Sequence, residues 1–127
     1  MSKFLNVTNH QLTAAQLQDI INNGFEVVEL PPELKTQWGQ LNVDNWRDAV
    51  EAVWSFICKE EVEAAMIAGY APAVFNLVNQ SDRAGVEALY ADTARESIET
   101  TLEDGSVRKT AVFKHKGFYS QVTGERW

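Results

Sequence analysis

Apolar and polar positions change period several times along the chain, and each change marks the boundary of an element. Lys3-Phe4-Leu5-Asn6-Val7-Thr8 is a short β-prone run closed by the polar turn Asn9-His10-Gln11. Thr13-Ala14-Ala15-Gln16 has the spacing of a capping box, and Leu17, Ile20 and Ile21 continue it as an apolar stripe that stops before Gly24. Phe25 to Leu30 predicts a second strand; Pro31-Pro32 ends it, and Glu33 to Trp38 forms a short helix. Trp46, Ala49, Val50, Val53, Trp54 and Ile57 then recur at helical spacing behind Asp44, the expected N-cap, with the aromatic members assigned to the core. Val62 to Ala68 predicts a short buried strand. Gly69-Tyr70-Ala71-Pro72 turns the chain into a helix carrying Val74, Phe75, Leu77 and Val78, which closes near Gly85 before a strand at Val86 to Tyr90. The pattern is two successive β-α-β units.

The last third changes character. Glu96 to Glu103 and Ser106 to Lys114 flank Asp104-Gly105, a two-residue signal for an antiparallel hairpin. Pairing across that turn sets Leu102 opposite Val107 and Ile98 opposite Ala111, with Phe113 on the same face and Glu99, Thr101, Arg108 and Thr110 on the solvated one. The expected fold is therefore α/β and Rossmann-like: a mostly parallel sheet flanked by helices, with a C-terminal antiparallel β-hairpin, in one domain over residues 1–127. Ligands in such sheets bind beyond the carboxyl ends of the strands, here expected at Thr8-Asn9-His10, Gly69-Tyr70-Ala71 and Ala91-Asp92-Thr93.

Composition narrows the function classes. With 45% hydrophobic and 23% charged residues the chain has the make-up of a folded globular domain, which excludes disordered and fibrous classes. The uncharged stretch Ala64–Gln80 is broken by Gly69, Pro72 and Asn76, and Met1-Ser2-Lys3 opens no apolar signal core, so neither membrane insertion nor secretion is expected and a cytoplasmic location is. A net charge of −7 argues against holding duplex nucleic acid by broad phosphate neutralisation. A small anion needs only a local site, and Arg95, Arg108, Lys109, Lys114 and Lys116 form one candidate patch. The lone Cys58 excludes an intrachain disulfide and is expected to be buried in its helix.

Among candidate chemical groups, His10 follows the first strand and precedes a capped helix, where an imidazole can donate to a phosphoryl oxygen or act as a general acid. Asn9 suits either a ligand or a local turn bond, and Gln16 is accounted for by the capping box. Gly69, Tyr70 and Ala71 permit close backbone approach to a phosphate or ribose, although the segment has neither P-loop nor dinucleotide glycine spacing. Thr93 and Arg95 supply a hydroxyl and a guanidinium fork for phosphate, or Arg95 pairs with Glu96 or Glu99. Lys114-His115-Lys116 reads as a solvated edge. No metal-ligand spacing involves His10 or His115, so no metal and no cofactor is expected, and no Gly-x-Ser-x-Gly elbow is present.

Three stretches together resemble the small stand-alone ring-nuclease proteins of type III CRISPR systems, which are related to the CRISPR-associated Rossmann fold. They are Asn9-His10-Gln11-Leu12-Thr13-Ala14-Ala15-Gln16; Leu30-Pro31-Pro32-Glu33-Leu34 with Trp38; and Leu89 to Glu96 with Asp104-Gly105-Ser106-Val107 and Val112-Phe113-Lys114-His115. The resemblance implies a homodimer that binds cyclic tetra-adenylate and cleaves it without metal, with His10 and Arg95 catalytic and Asn9, Gln11, Gly69, Tyr70, Ala71 and Thr93 facing the ligand. The chain departs from the family pattern where Ala68-Gly69-Tyr70-Ala71-Pro72 replaces a Gln-Gly-Asp-Phe-Gly-like loop and Ala94 replaces the second threonine of a Thr-Thr-Arg-like motif. A non-catalytic sensor or sequestering protein for the same nucleotide is the alternative.

Overall fold

The computed structural model describes residues 1–127. The elements run β1 (Ser2–Val7), α1 (Ala14–Asn22), β2 (Phe25–Glu29), α2 (Pro32–Trp38), α3 (Trp46–Glu60), β3 (Ala64–Ile67), α4 (Ala71–Arg83), β4 (Glu87–Thr101) and β5 (Val107–Ser120). All five strands share one sheet in the order β2-β1-β3-β4-β5, parallel except for the antiparallel β4–β5 pair. The expected fold class is thus observed. From β1 the chain goes to β2 on one side and later to β3 on the other, so the connections diverge between β1 and β3. In parallel sheets such a divergence marks where ligands are held, beyond the carboxyl ends of the two strands.

Both faces of the sheet are covered, which is why β1 and β3 read as continuous apolar runs. Leu5, Val7, Ala65 and Ile67 point into the larger core with residues of α2, α3 and α4. Phe4, Ala64, Met66 and Leu89 face α1, where Ile20 and Phe118 complete a smaller core. Phe4 and Phe118 stand 5.2 Å apart, and the C-terminal Trp127 closes over Phe4 and Phe25 at 5.5 and 5.0 Å. Such tilted aromatic contacts add to the area they bury.

The C-terminal hairpin differs from expectation in three respects. First, β4 does not end at Ala91-Asp92-Thr93. It leaves β3 after Leu89 and continues, paired only with β5, to Thr101. Nothing in Tyr90–Thr101 breaks a strand, so Thr93 and Arg95 lie within a projecting ribbon and not in a strand-end loop. Second, the turn has three residues, Glu103-Asp104-Gly105. The Leu102 amide donates to the Ser106 carbonyl at 2.8 Å, the Gly105 amide to the Leu102 carbonyl at 3.0 Å, and Gly105 takes φ +83°. A type I turn closed by a left-handed glycine is the usual three-residue solution. The extra residue slips the register by one, pairing Ile98 with Thr110 and Ser97 with Ala111. Ile98 therefore shares a face with Val112, while Val107 and Phe113 occupy the other with Arg95. Third, pairing steps from Asp92↔Gly117 to Thr93↔His115, leaving Lys116 as the extra residue of a bulge.

Two smaller expectations are corrected. Asn45, not Asp44, precedes α3; the Asn42 carboxamide accepts from the Asp44 and Asn45 amides at 2.9 and 3.1 Å and turns the chain there. Cys58 is exposed, because it sits about 100° around the helix from the buried Ile57. Trp46 and Trp54 are half-buried at the margin of the core.

Phe118 is 1% exposed at the centre of the aromatic cluster. Phe118→Ala should cost about 3–5 kcal/mol of stability, seen as a lower urea midpoint at unchanged slope. Asp104 provides a pH test: its carboxylate accepts from the Ser106 hydroxyl and amide, which holds its pKa below the usual carboxylate value. The contribution to the turn is complete above the unfolded pKa and is lost as pH falls through the lowered folded value. Asp104→Asn should remove the acid-range titration of the Ser106 amide shift.

Candidate functional site

The carboxyl end of β1 is shaped by a polar side chain in an otherwise apolar strand. Asn6 is fully buried, and its carboxamide must find partners. It donates to the His10 carbonyl at 2.8 Å and to Glu29 at 3.4 Å, and accepts from the Thr8 hydroxyl at 2.8 Å. The same hydroxyl oxygen accepts from the His10 amide at 3.1 Å. Lys35 adds an ion pair to Glu29 at 2.9 Å and a long contact of 3.5 Å to the His10 carbonyl. The His10 main chain is pinned while its imidazole is exposed. Asn9 and Gln11 are exposed beside it, and Asn9 shares a cleft of about 410 Å³ with Lys35, Thr36 and Gly39.

At the carboxyl end of β3 the Trp38 indole donates to the Ala68 carbonyl at 2.9 Å. Gly69 has φ +147°, and a Cβ there would stand 2.9 Å from the indole nitrogen. The glycine is therefore explained by the close approach of Trp38. Gln121 bridges two strand ends, donating to the Ile67 and Leu89 carbonyls at 2.8 and 2.9 Å. Gly69 and Ala71 line a mainly apolar cleft of about 460 Å³ with Phe75 and Gln121, and Tyr70 packs half-buried against the larger core.

The third position is the root of the ribbon. A cleft of about 370 Å³ separates the first turn of α1 from β4 and β5, lined by Thr13, Gln16, Thr93, Phe113, Lys114 and His115 among others. The capping box is formed as expected: Gln16 amide to Thr13 hydroxyl at 3.1 Å, and Thr13 amide to the Gln16 side chain at 3.0 Å. Arg95 lies one same-face step beyond Thr93, opposite Phe113. It is not paired with Glu96 or Glu99, which contact Lys116 and Lys109 at 3.8 and 3.6 Å. His115 is no solvated edge residue. Its side chain is 8% exposed, its Nε2 lies 2.9 Å from Asp19 on α1, and its ring packs 4.9 Å from Phe118. Its Nδ1 is buried without a partner.

The structure therefore does not bring the candidate residues together: Asn9 lines the first cleft, Gly69 and Ala71 the second and Thr93 the third, while His10, Gln11, Tyr70 and Arg95 line none of the three. Sequence reasoning missed Asn6, Lys35, Asp19 and Gln121. Asn6 and Thr8, polar positions in a buried strand, were a readable signal; the Asp19–His115 contact, 96 residues apart, had none. No three His, Cys, Asp or Glu side chains are grouped so as to hold a metal ion. No helix is long and apolar enough to cross a membrane.

A family model described as the Uncharacterized protein MJ1673 family matches residues 2–119. No curated protein and no solved structure matches the chain.

Asn6 anchors the loop that carries His10. Asn6→Ala should cost about 1–3 kcal/mol by removing the shorter partner of both the Thr8 hydroxyl and the His10 carbonyl, which are left to bond each other at 3.2 Å. Hydrogen exchange at the His10 amide should accelerate more than that of the β3 core amides; equal acceleration would show that Asn6 has no local role.

Proposed function

For this chain, which belongs to the uncharacterized protein MJ1673 family, we propose the activity of a cytoplasmic ring nuclease. Its substrate is cyclic tetra-adenylate, a second messenger of type III CRISPR defence, and it works as a two-fold homodimer without a metal. The observation that supports this best is the cleft in which exposed Thr93 and Lys114, with Glu96 also on its wall, meet the capped first turn of α1, while exposed His10 lies on the loop that leads into that helix. Phosphate favours such a place because free helix amides and nearby cations face it. A ring of four identical nucleotides matches a molecular two-fold axis, and each cleft of a single chain is too small to enclose it.

In this reading RNA supplies its own nucleophile. The ribose 2′-oxygen attacks the adjacent phosphorus, the bond from phosphorus to the 5′-oxygen breaks, and the 2′-hydroxyl proton passes to solvent. His10 donates a proton to the departing 5′-oxygen, and Arg95 neutralises the non-bridging oxygens. The amides of Gly69 and Tyr70 orient the backbone, with Asn9, Gln11, Ala71 and Thr93 around the nucleotides. The products are linear oligoadenylates with a 2′,3′-cyclic phosphate and a 5′-hydroxyl. The second reading, a sensor that binds the same ring without cutting it, is favoured by one feature: the tight turn at Gly69 is occupied by Trp38.

Incubation with radiolabelled cyclic tetra-adenylate tests both readings. Cleavage should proceed equally well in EDTA, and His10→Ala should slow single-turnover cleavage about 10²- to 10³-fold. Arg95→Ala should lower both rate and affinity. A mobility shift without products selects the sensor; neither shift nor products refutes both readings.

A further inference from the structure

Beyond Leu89, β4 has a strand neighbour only on its β5 side, and its other edge stays open from Tyr90 to Thr101. From Thr93 onward the ribbon extends about 30 Å at the usual rise per residue. It bears Ile98 and Val112 exposed on one face and Val107 and Phe113 exposed on the other. Two-stranded ribbons of this kind are marginal alone, and open edges are normally blunted by proline, bulges or charge. The open edge of β4 contains no proline and no glycine. The outer edge of β5 does carry such protection: Arg108, Lys109, Lys114 and Lys116 with no acid between them, which repel a second copy of the same strand.

We propose that β4 pairs antiparallel with β4 of a second copy of this chain, with Ser97 on the dyad, joining the two ribbons into one four-stranded sheet. Two independent constraints select this register. The bonded pair Leu102–Ser106 fixes the alternation along β4, so that Thr93, Arg95, Ser97, Glu99 and Thr101 direct their main-chain groups to the open edge. Only registers that match odd positions with odd positions can then form a ladder. Among these, the one centred on Ser97 sets Arg95 opposite the partner's Glu99, and Glu99 opposite the partner's Arg95. Moving the centre by one residue replaces both pairs with Arg95–serine or Arg95–threonine and leaves Glu99 facing a hydroxyl.

This deepens the proposed function, on which its consequence for the site rests. Because β3 ends at Ile67 beside β4, the partner's ribbon would run past the carboxyl ends of β3 and β1, above the Gly69 and His10 loops. The open clefts of one chain would then be roofed by the other. A guanidinium has five N–H donors, so Arg95 can hold a carboxylate across the dyad and still present donors to a phosphate.

Light scattering and sedimentation of the free protein test the interface without any nucleotide. The unmodified chain should be a dimer at micromolar concentration. Arg95→Glu and Glu99→Arg, each placing like charges across the dyad twice, should weaken dimerisation about tenfold or more. The double variant R95E/E99R should restore it, which a loss of folding or of a local contact would not do. In a Cys58→Ser background, Ser97→Cys should form a disulfide-linked dimer under mild oxidation, since bonded antiparallel pairs lie about 5.5 Å apart at Cα. A monomeric protein, or a dimer indifferent to the swaps and not trapped at position 97, would overturn the interface. A dimer that behaves as expected but neither binds nor cuts cyclic tetra-adenylate would leave the interface standing and refute the nuclease reading.

Discussion

A carboxamide buried in the central strand governs this molecule. Asn6 lies on β1, which is covered on both faces and paired on both edges, so its polar atoms have no access to water. They are satisfied by the chain that follows, through the Thr8 hydroxyl and the His10 carbonyl, and by Glu29 at the end of β2. Satisfying one buried group thus determines where β1 stops, how the chain turns, and where His10 is presented. The polarity of the strand is thus delivered to the edge where ligands of parallel sheets are held.

The same edge is organised at the other strands by different means. Trp38 and Gln121 cap the carbonyls that β3 and β4 leave unpaired, and the Asp19–His115 pair fastens the ribbon root to α1. Trp38 and Gln121 satisfy main-chain carbonyls, whereas the Asp19–His115 pair joins two side chains, and a cleft lies next to each. What separates the clefts is the projection of β4 and β5 away from the sheet, which carries Arg95 and Lys114 outward with their strands. A second chain laid along β4 would bring these groups back over the loops.

Much of this was legible in the sequence. The capping box at Thr13, the proline stops at Pro31 and Pro72, and the stripe from Trp46 to Ile57 are local signals that tertiary packing reinforced. The strand-end positions of Asn9, His10 and Gly69 followed from them. The hairpin was harder, since Asp104-Gly105 suits a two-residue and a three-residue turn equally, and a change of one residue inverts every face. Thr93 and Arg95 were expected in a loop because helices alternate with short strands upstream; no residue between Tyr90 and Thr101 recorded that β4 would continue. His115 was misread because its partner Asp19 comes from the opposite end of the chain, and burial of a histidine between two lysines leaves no periodic trace.

The claim on which the rest turns is that the carboxyl edge of the sheet is the ligand site. Two-dimensional amide spectra of the labelled protein, titrated with cyclic tetra-adenylate under conditions that slow cleavage, address it directly. Shifts concentrated at His10, Gly69 to Ala71, Thr93 and His115 are the result the account predicts, with no movement in the groove of about 480 Å³ that Trp46 and Trp54 of α3 form with Asn76 and Gln80 of α4. Shifts centred on that groove, or none at saturating nucleotide, would contradict it.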